Sequence, residues 1–168
     1  MRILVTFGSK LGGTAGIAGT IASALRSDGH DVVVVPASSR VHADGFGAVI
    51  IGGALYAGRW HKDARRFVMK NRADLAVRPV WFFSSGPLDD SASESTIRPT
   101  RQVAGLMNQV GARGHMTFGG RLEPGVKGFP AAAMARENSG DWRDHDRIRQ
   151  WAGEISARLE GVRTGTQT

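Results

Sequence analysis

Ser9, Gly12, Gly13 and Thr14 follow a short apolar run and precede a helical one, and together they suit an anion. The two hydroxyls can donate hydrogen bonds. The glycines let bare backbone N–H groups close on a ligand where a Cβ would intrude. A helix beginning here adds the partial positive charge of its first turn. The full stretch, TFGSKLGGTAGIAG (6–19), holds one lysine, Lys10, and no acid. It is not a dinucleotide fingerprint: the G-x-G-x-x-G spacing is missing, and the second apolar run ends VVVVPASSR with no carboxylate for a ribose. Nor is it a triphosphate loop, because Thr14 stands where the lysine of G-x-x-x-x-G-K-[ST] is needed. The chemistry left is the seating of one terminal phosphate.

Two later stretches supply partners for a flat ring. GGALYAGRWH (52–61) contains the only tyrosine, Tyr56, and one of four tryptophans, Trp60, with Gly58 and Arg59 between them. Aromatics on a loop can sandwich a planar heterocycle, and Gly58 lets a peptide bond reorient beside it. Tyr56 and Trp60 compete for the stacking position, and either could instead cover a sheet edge. FFSSGPLDD (82–90) offers Ser84, Ser85 and Gly86 as polar edges, although Gly86-Pro87 also reads as a plain turn. His61 lies close enough to the first of these loops to be a proton carrier, and Arg59 is a second catalytic candidate.

The elements that must position these residues follow from periodicity. Apolar runs at 3–7, 31–36, 47–53 and 79–85, with a weaker one at 114–120, are continuous rather than alternating. That pattern fits strands covered on both faces, hence a parallel sheet. Between them, Ile17, Ile21 and Leu25 mark a helix over 14–28. Ala64, Phe67, Val68 and Asn71 mark one over 61–73, and Val103, Leu106, Met107 and Val110 one over 100–110. The clearest stripe is Ile148, Trp151, Ala152, Ile155 and Leu159 within 142–160. Strand and helix in alternation give a doubly wound α/β fold. In such folds ligands bind outside the carboxyl ends of the strands, where the loops above fall. Residues 121–140 form a long insertion before the last helix, with a short helix expected from Pro130, and 161–168 read as a flexible tail.

The chain has 168 residues, 41% of them hydrophobic, enough for one domain of about 1–160. With no cysteine it can form no disulfide, thiolate metal site or iron–sulfur cluster. Its apolar runs are too short to span a membrane, and MRILVTF reads as a strand rather than a leader, which fits a cytoplasmic protein. The formal charge is +7, and residues 57–78 carry seven cations against Asp63 and Asp74. Such a face could meet an anionic surface or partner, or simply be solvated. No nucleic-acid-binding motif accompanies it. Asp144-His145-Asp146 sits where the last helix should begin, a position that favours acids without any metal. His30, His42 and His115 show no ligand spacing, so no metal site is expected.

Taken together, GSKLGGT (8–14), GALYAGRWHKDARRFV (53–68) and VWFFSSGPL (80–88) resemble a flavodoxin-type FMN site. The second and third, with TFGGRLEPGVKGF (117–129) and GDWRDHDRIRQWA (140–152), are similar to actinobacterial flavodoxin-domain proteins related to the menaquinone-dependent, flavodoxin-type protoporphyrinogen oxidase. The chain departs from these patterns at Leu11, where flavodoxins usually carry a hydroxyl residue, and at Tyr56-Ala57, where the oxidase pattern has an arginine and then a tyrosine. The resemblance implies a five-stranded parallel sheet of order 2-1-3-4-5 in three α/β/α layers. It implies FMN, with Ser9, Lys10, Gly12, Gly13 and Thr14 at its phosphate. Tyr56, Gly58, Arg59 and Trp60 would border one side of the ring, and Ser84, Ser85 and Gly86 the other. It also implies a flavin-dependent oxidoreductase whose redox partner is a quinone, a porphyrinogen or a reductase, with peripheral membrane contact compatible. The rival roles are a one-electron carrier docking on an acidic partner and a flavin-free binding module that kept the fold.

Overall fold

A computed structural model of the protein describes residues 1–10, 12–122 and 140–164. Leu11 and the Pro130 helix expected above lie outside the described residues. The parallel strands are β1 (Arg2–Gly8), β2 (Asp31–Pro36), β3 (Ala48–Tyr56), β5 (Val80–Ser85) and β6 (Gly114–Phe118). They lie in the order β2-β1-β3-β5-β6, the doubly wound order expected. The sequence runs had not separated β4 (Arg59–Trp60), a two-residue strand that folds back antiparallel on the end of β3.

Helices cover both faces. On one, α1 (Gly13–Ser27) and α6 (His145–Thr164) bury Ile17, Ile21, Leu25, Ile148, Trp151 and Ile155 against Ile3, Val5, Ile50 and Phe83. On the other, α2 (Lys62–Lys70), α3 (Arg72–Ala76) and α5 (Arg101–Val110) pack Phe67, Val68, Leu75, Val103 and Leu106 on Leu4, Val49, Ile51 and Phe82. Removing these side chains from water stabilises the fold by about 1.5–3 kcal/mol each.

Two differences from the expected elements come with local interactions, and a third is one of length. The helix expected over 61–73 is two helices, because the buried Asn71 turns inward at the break. Its amide donates to the Phe67 carbonyl at 2.9 Å and its carbonyl accepts from Ala43 N–H at 3.0 Å. A one-turn helix, α4 (Ser91–Glu94), follows the β5 turn; Arg147 of α6 donates to the Ser93 and Ser95 carbonyls beside it. The last helix runs to Thr164, past residue 160. The ends of the 121–140 segment pair as a small antiparallel ribbon of β7 (Arg121–Leu122) and β8 (Gly140–Asp141).

Candidate functional site

Register sets the site. Gly8 at the end of β1 pairs with Gly53 of β3, and Gly53 pairs with Ser84 of β5. All three loops therefore leave the sheet from one level of its carboxyl edge. The glycines at that level allow close packing. A Cβ on Gly8 would lie 2.6 Å from the Ala64 backbone nitrogen at the start of α2, and one on Gly53 would collide with the Trp60 ring.

The first loop enters α1 through Gly12, at φ 82°, a left-handed conformation open to glycine. Gly12 N–H donates to the Ser9 hydroxyl at 3.3 Å. No side chain caps the 15-residue helix and no acid lies in its first turn. The Thr14 hydroxyl is buried, at 1% exposure, and has no hydrogen-bond partner among the described residues. A buried hydroxyl in that state costs about 1–3 kcal/mol, so the loop holds hydrogen-bonding capacity that the described residues do not use. Here the residues fit a phosphate: a helix N-terminus, an orphaned hydroxyl and uncapped N–H groups converge.

The second loop is a tight hairpin. Tyr56 pairs with Arg59 and Leu55 with Trp60, with Ala57 at φ 49° and Gly58 at φ 74° in the turn. Positive φ at both central residues matches the turn that suits strand twist; for Ala57 it is a strained choice. Side chains alternate across such a ribbon, which decides between the two aromatics. Leu55 and Trp60 share the face toward α2 and α5, whereas Tyr56 and Arg59 take the other and are exposed. Trp60 is 1% exposed and packs on Phe82 at 4.7 Å between ring centroids. Of the two aromatics, it is the one that packs in the core. Tyr56, 39% exposed, leans over the first loop and accepts a hydrogen bond from Lys10 N–H at 3.4 Å. Partial burial pushes its hydroxyl above the usual tyrosine range, and the Lys10 N–H pulls it partly back.

The third loop is largely satisfied from within. Trp60 Nε1 donates to Ser84 Oγ at 2.8 Å, and Ser84 Oγ lies 2.9 Å from His115 Nε2. The Ser84 hydroxyl is thus engaged on both sides, by Trp60 and by His115. Gly86 N–H donates to the Phe118 carbonyl at 3.2 Å, while Ser85 is buried at the strand end. Burial lowers the His115 pKa to about 4, so the ring is neutral at pH 7.

His61 caps α2: its Nδ1 accepts from Asp63 N–H at 3.2 Å, which leaves the proton of the neutral ring on Nε2. Its ring centroid is 6.1 Å from that of Tyr56. Arg65 Nε donates to the Trp60 carbonyl at 3.0 Å, bracing the hairpin from α2. A cavity of about 480 Å³ is lined by Lys62, Arg65, Arg66, Met69 and Lys70 on the outer face of α2. At the start of α6, Asp144 accepts from Arg147 N–H at 3.1 Å, and His145 Nδ1 lies 3.0 Å from Thr20 Oγ1. Among the described residues no cluster of three or more histidines and acids could hold a metal ion. No helix among them is long and apolar enough to cross a membrane.

Residues 4–127 match the family model of the flavodoxin domain. The chain belongs to the flavodoxin-domain family. That membership indicates FMN as its cofactor. Among solved structures the protein is similar to a mutant flavodoxin from Pseudomonas aeruginosa, at TM-score 0.63 and 17% identity, over 95% of this chain and 99% of that one. It is similar also to a flavodoxin from the domain Archaea, at TM-score 0.64 and 15% identity, over 95% and 99%. A third likeness is to the rubredoxin oxygen:oxidoreductase of Desulfovibrio gigas, at TM-score 0.64 and 14% identity; 95% of this chain is covered but only 36% of that longer one. No curated protein matches the sequence. Sequence reasoning did not foresee that Arg121 of β7 and Arg143, just after β8, approach α1 at Gly13 and Gly16. The one signal available was Gly13 and Gly16, three apart on one helix face.

Proposed function

We propose that the protein is an FMN-dependent oxidoreductase, with the phosphate held at the N-terminus of α1 by Ser9, Lys10, Gly12, Gly13 and Thr14. Tyr56, Gly58 and Arg59 border one side of the ring and Ser85 with Gly86 the other, while Trp60 and Ser84 support the hairpin from below. The observation that carries this reading is the orphaned Thr14 hydroxyl in an uncapped, acid-free helix terminus that Tyr56 overhangs. Bound FMN supplies the redox chemistry; the chain binds, orients and tunes it.

Charge supports an oxidoreductase over a general carrier. Arg59 is exposed at the hairpin tip, and Lys62, Arg66 and Lys70 are exposed along the neighbouring α2. Cations near a flavin stabilise its anionic reduced form and draw in anionic reactants. A quinone at an anionic membrane surface, or a carboxylate-bearing porphyrinogen, suits such a field. The chain's own groups for proton handling are few: His61 Nε2 is the nearest candidate, and the Tyr56 hydroxyl stays protonated at neutral pH.

Titrating the purified protein with FMN tests the first step, with a shifted flavin spectrum and quenched fluorescence expected. A midpoint potential above that of acidic flavodoxins, and turnover with a soluble quinone or a porphyrinogen, are the further expected results. A low potential with fast one-electron exchange and no turnover would make the protein a carrier instead.

A further inference from the structure

The outer surface of α2 and α3 has an unusual composition. The two helices meet at the buried Asn71 and pack on the same side of the sheet, through Phe67, Val68 and Leu75. Between residues 62 and 77 every exposed residue is either a cation or apolar. The cations are Lys62, Arg66, Lys70 and Arg72; the apolar residues are Met69, Ala73, Ala76 and Val77. Met69 is 50% exposed and Val77 78%. The two acids of the stretch, Asp63 and Asp74, are half-buried in the first turns of their helices, a place the helix dipole favours. Among the described residues none of the four exposed cations pairs with an acid.

The last helix, on the opposite side of the sheet, shows what an ordinary solvated face of this chain looks like. It exposes Asp146, Glu154 and Glu160 beside Arg149 and Arg158, with no large apolar side chain among them. Arg149 pairs with Asp146, and Gln150 donates to Glu154 at 3.4 Å. Mixed signs and local pairs suit water. A one-sign face that also presents bare methionine and valine suits a surface that is anionic and, just beneath, apolar. On α2, residues 62, 65, 66, 69 and 70 recur at the spacing of one helix face, and their side chains enclose the 480 Å³ cavity with Met69 among the cations. This face continues into the hairpin: Arg65 Nε donates to the Trp60 carbonyl at 3.0 Å, and the exposed Arg59 precedes Trp60 in β4.

We propose that the outer face of α2 and α3 docks the protein on an anionic lipid bilayer. Lys62, Arg66, Lys70 and Arg72 meet the headgroup phosphates and carboxylates, while Met69 and Val77 enter the boundary beneath them. An acidic protein surface would satisfy the cations but gives no reason for two large apolar side chains to stand in water beside them. The docking does not depend on a flavin. On the quinone reading above, it brings the hairpin that borders the ring to the lipid phase holding the reactant.

Cosedimentation of the full chain with vesicles tests this, using phosphatidylcholine alone and phosphatidylcholine mixed with phosphatidylserine, at low and high salt. Binding is expected to the mixed vesicles only, and to weaken as salt rises. The triple variant Lys62→Gln, Arg66→Gln, Lys70→Gln should lower partitioning about 100-fold, at about 5-fold per cation removed. Met69→Gln with Val77→Thr should lower it about 5-fold while leaving the charge intact. Thermal unfolding of each variant should match the wild type, since all five positions are exposed. A wild type that stays in solution with the mixed vesicles overturns the proposal, as does a triple variant that binds them undiminished. If the triple variant loses binding but Met69→Gln with Val77→Thr does not, the face attracts any polyanion and the lipid assignment falls. FMN quenching in the same samples separates this from the cofactor reading: a chain that takes up FMN but ignores vesicles overturns the docking alone, and one that binds vesicles but not FMN overturns the cofactor reading alone.

Discussion

The loops on either side of β3 are completed to different degrees. At the β1 end, Thr14 is buried with an unused hydroxyl, α1 starts without a side-chain cap, and an exposed tyrosine hangs over the opening. At the β5 end, Trp60, Ser84 and His115 form a hydrogen-bonded chain that leaves little for a ligand. The first region gives up stability to remain receptive; the second is a rigid buttress on which the hairpin carrying Tyr56 rests. Hydrogen-bonding capacity left open in a folded protein points to where a ligand enters, and capacity closed internally points to what holds the entrance in shape.

The sharpest way to break this comparison is at the buttress. Trp60→Ala removes a fully buried ring and its bond to Ser84, and should destabilise the protein by about 3–5 kcal/mol in denaturant unfolding. A loss below about 1 kcal/mol would mean the ring is not core. Next comes acid. The unfolded His115 ring takes up a proton near pH 6.5, the folded ring only near 4. Between these values the unfolded state binds more protons, so stability falls as pH drops from about 6.5 to 4, by up to about 3 kcal/mol. The stability difference between wild type and His115→Gln should therefore be constant above about pH 7 and narrow toward about pH 4. A difference that stays flat across that window would place His115 in a solvated site.

Two smaller substitutions set the regions directly against each other. Ser84→Ala strands the Trp60 indole N–H and should cost about 1–3 kcal/mol, with little change in the Kd for FMN. Thr14→Val should do the reverse. Without a partner to lose, the hydroxyl's removal should leave the flavin-free protein as stable or more stable by about 1 kcal/mol, and weaken FMN binding by about 10-fold. Equal effects of both variants on unfolding would erase the distinction between a receptive and a closed loop.

Much of this was legible in the chain itself. Continuous apolar runs identified the parallel strands, since a strand buried on both faces cannot alternate, and the order β2-β1-β3-β5-β6 followed the doubly wound expectation. The glycines, serine and threonine of the first loop marked an anion seat because their chemistry is local: N–H groups, hydroxyls and a helix start lie within a few residues. Only the tertiary structure decided what depended on register and on distant packing. A two-residue reversal at Ala57-Gly58 sent Trp60 inward and Tyr56 outward, because a ribbon's alternation assigns opposite faces to residues paired one step apart. Ser84 looked available until a tryptophan and a histidine from other elements closed on it. Arg121 and Arg143 reach the start of α1 from the far end of the sequence. No short-range pattern encodes that meeting, because it is set by where the sheet's last strand delivers the chain.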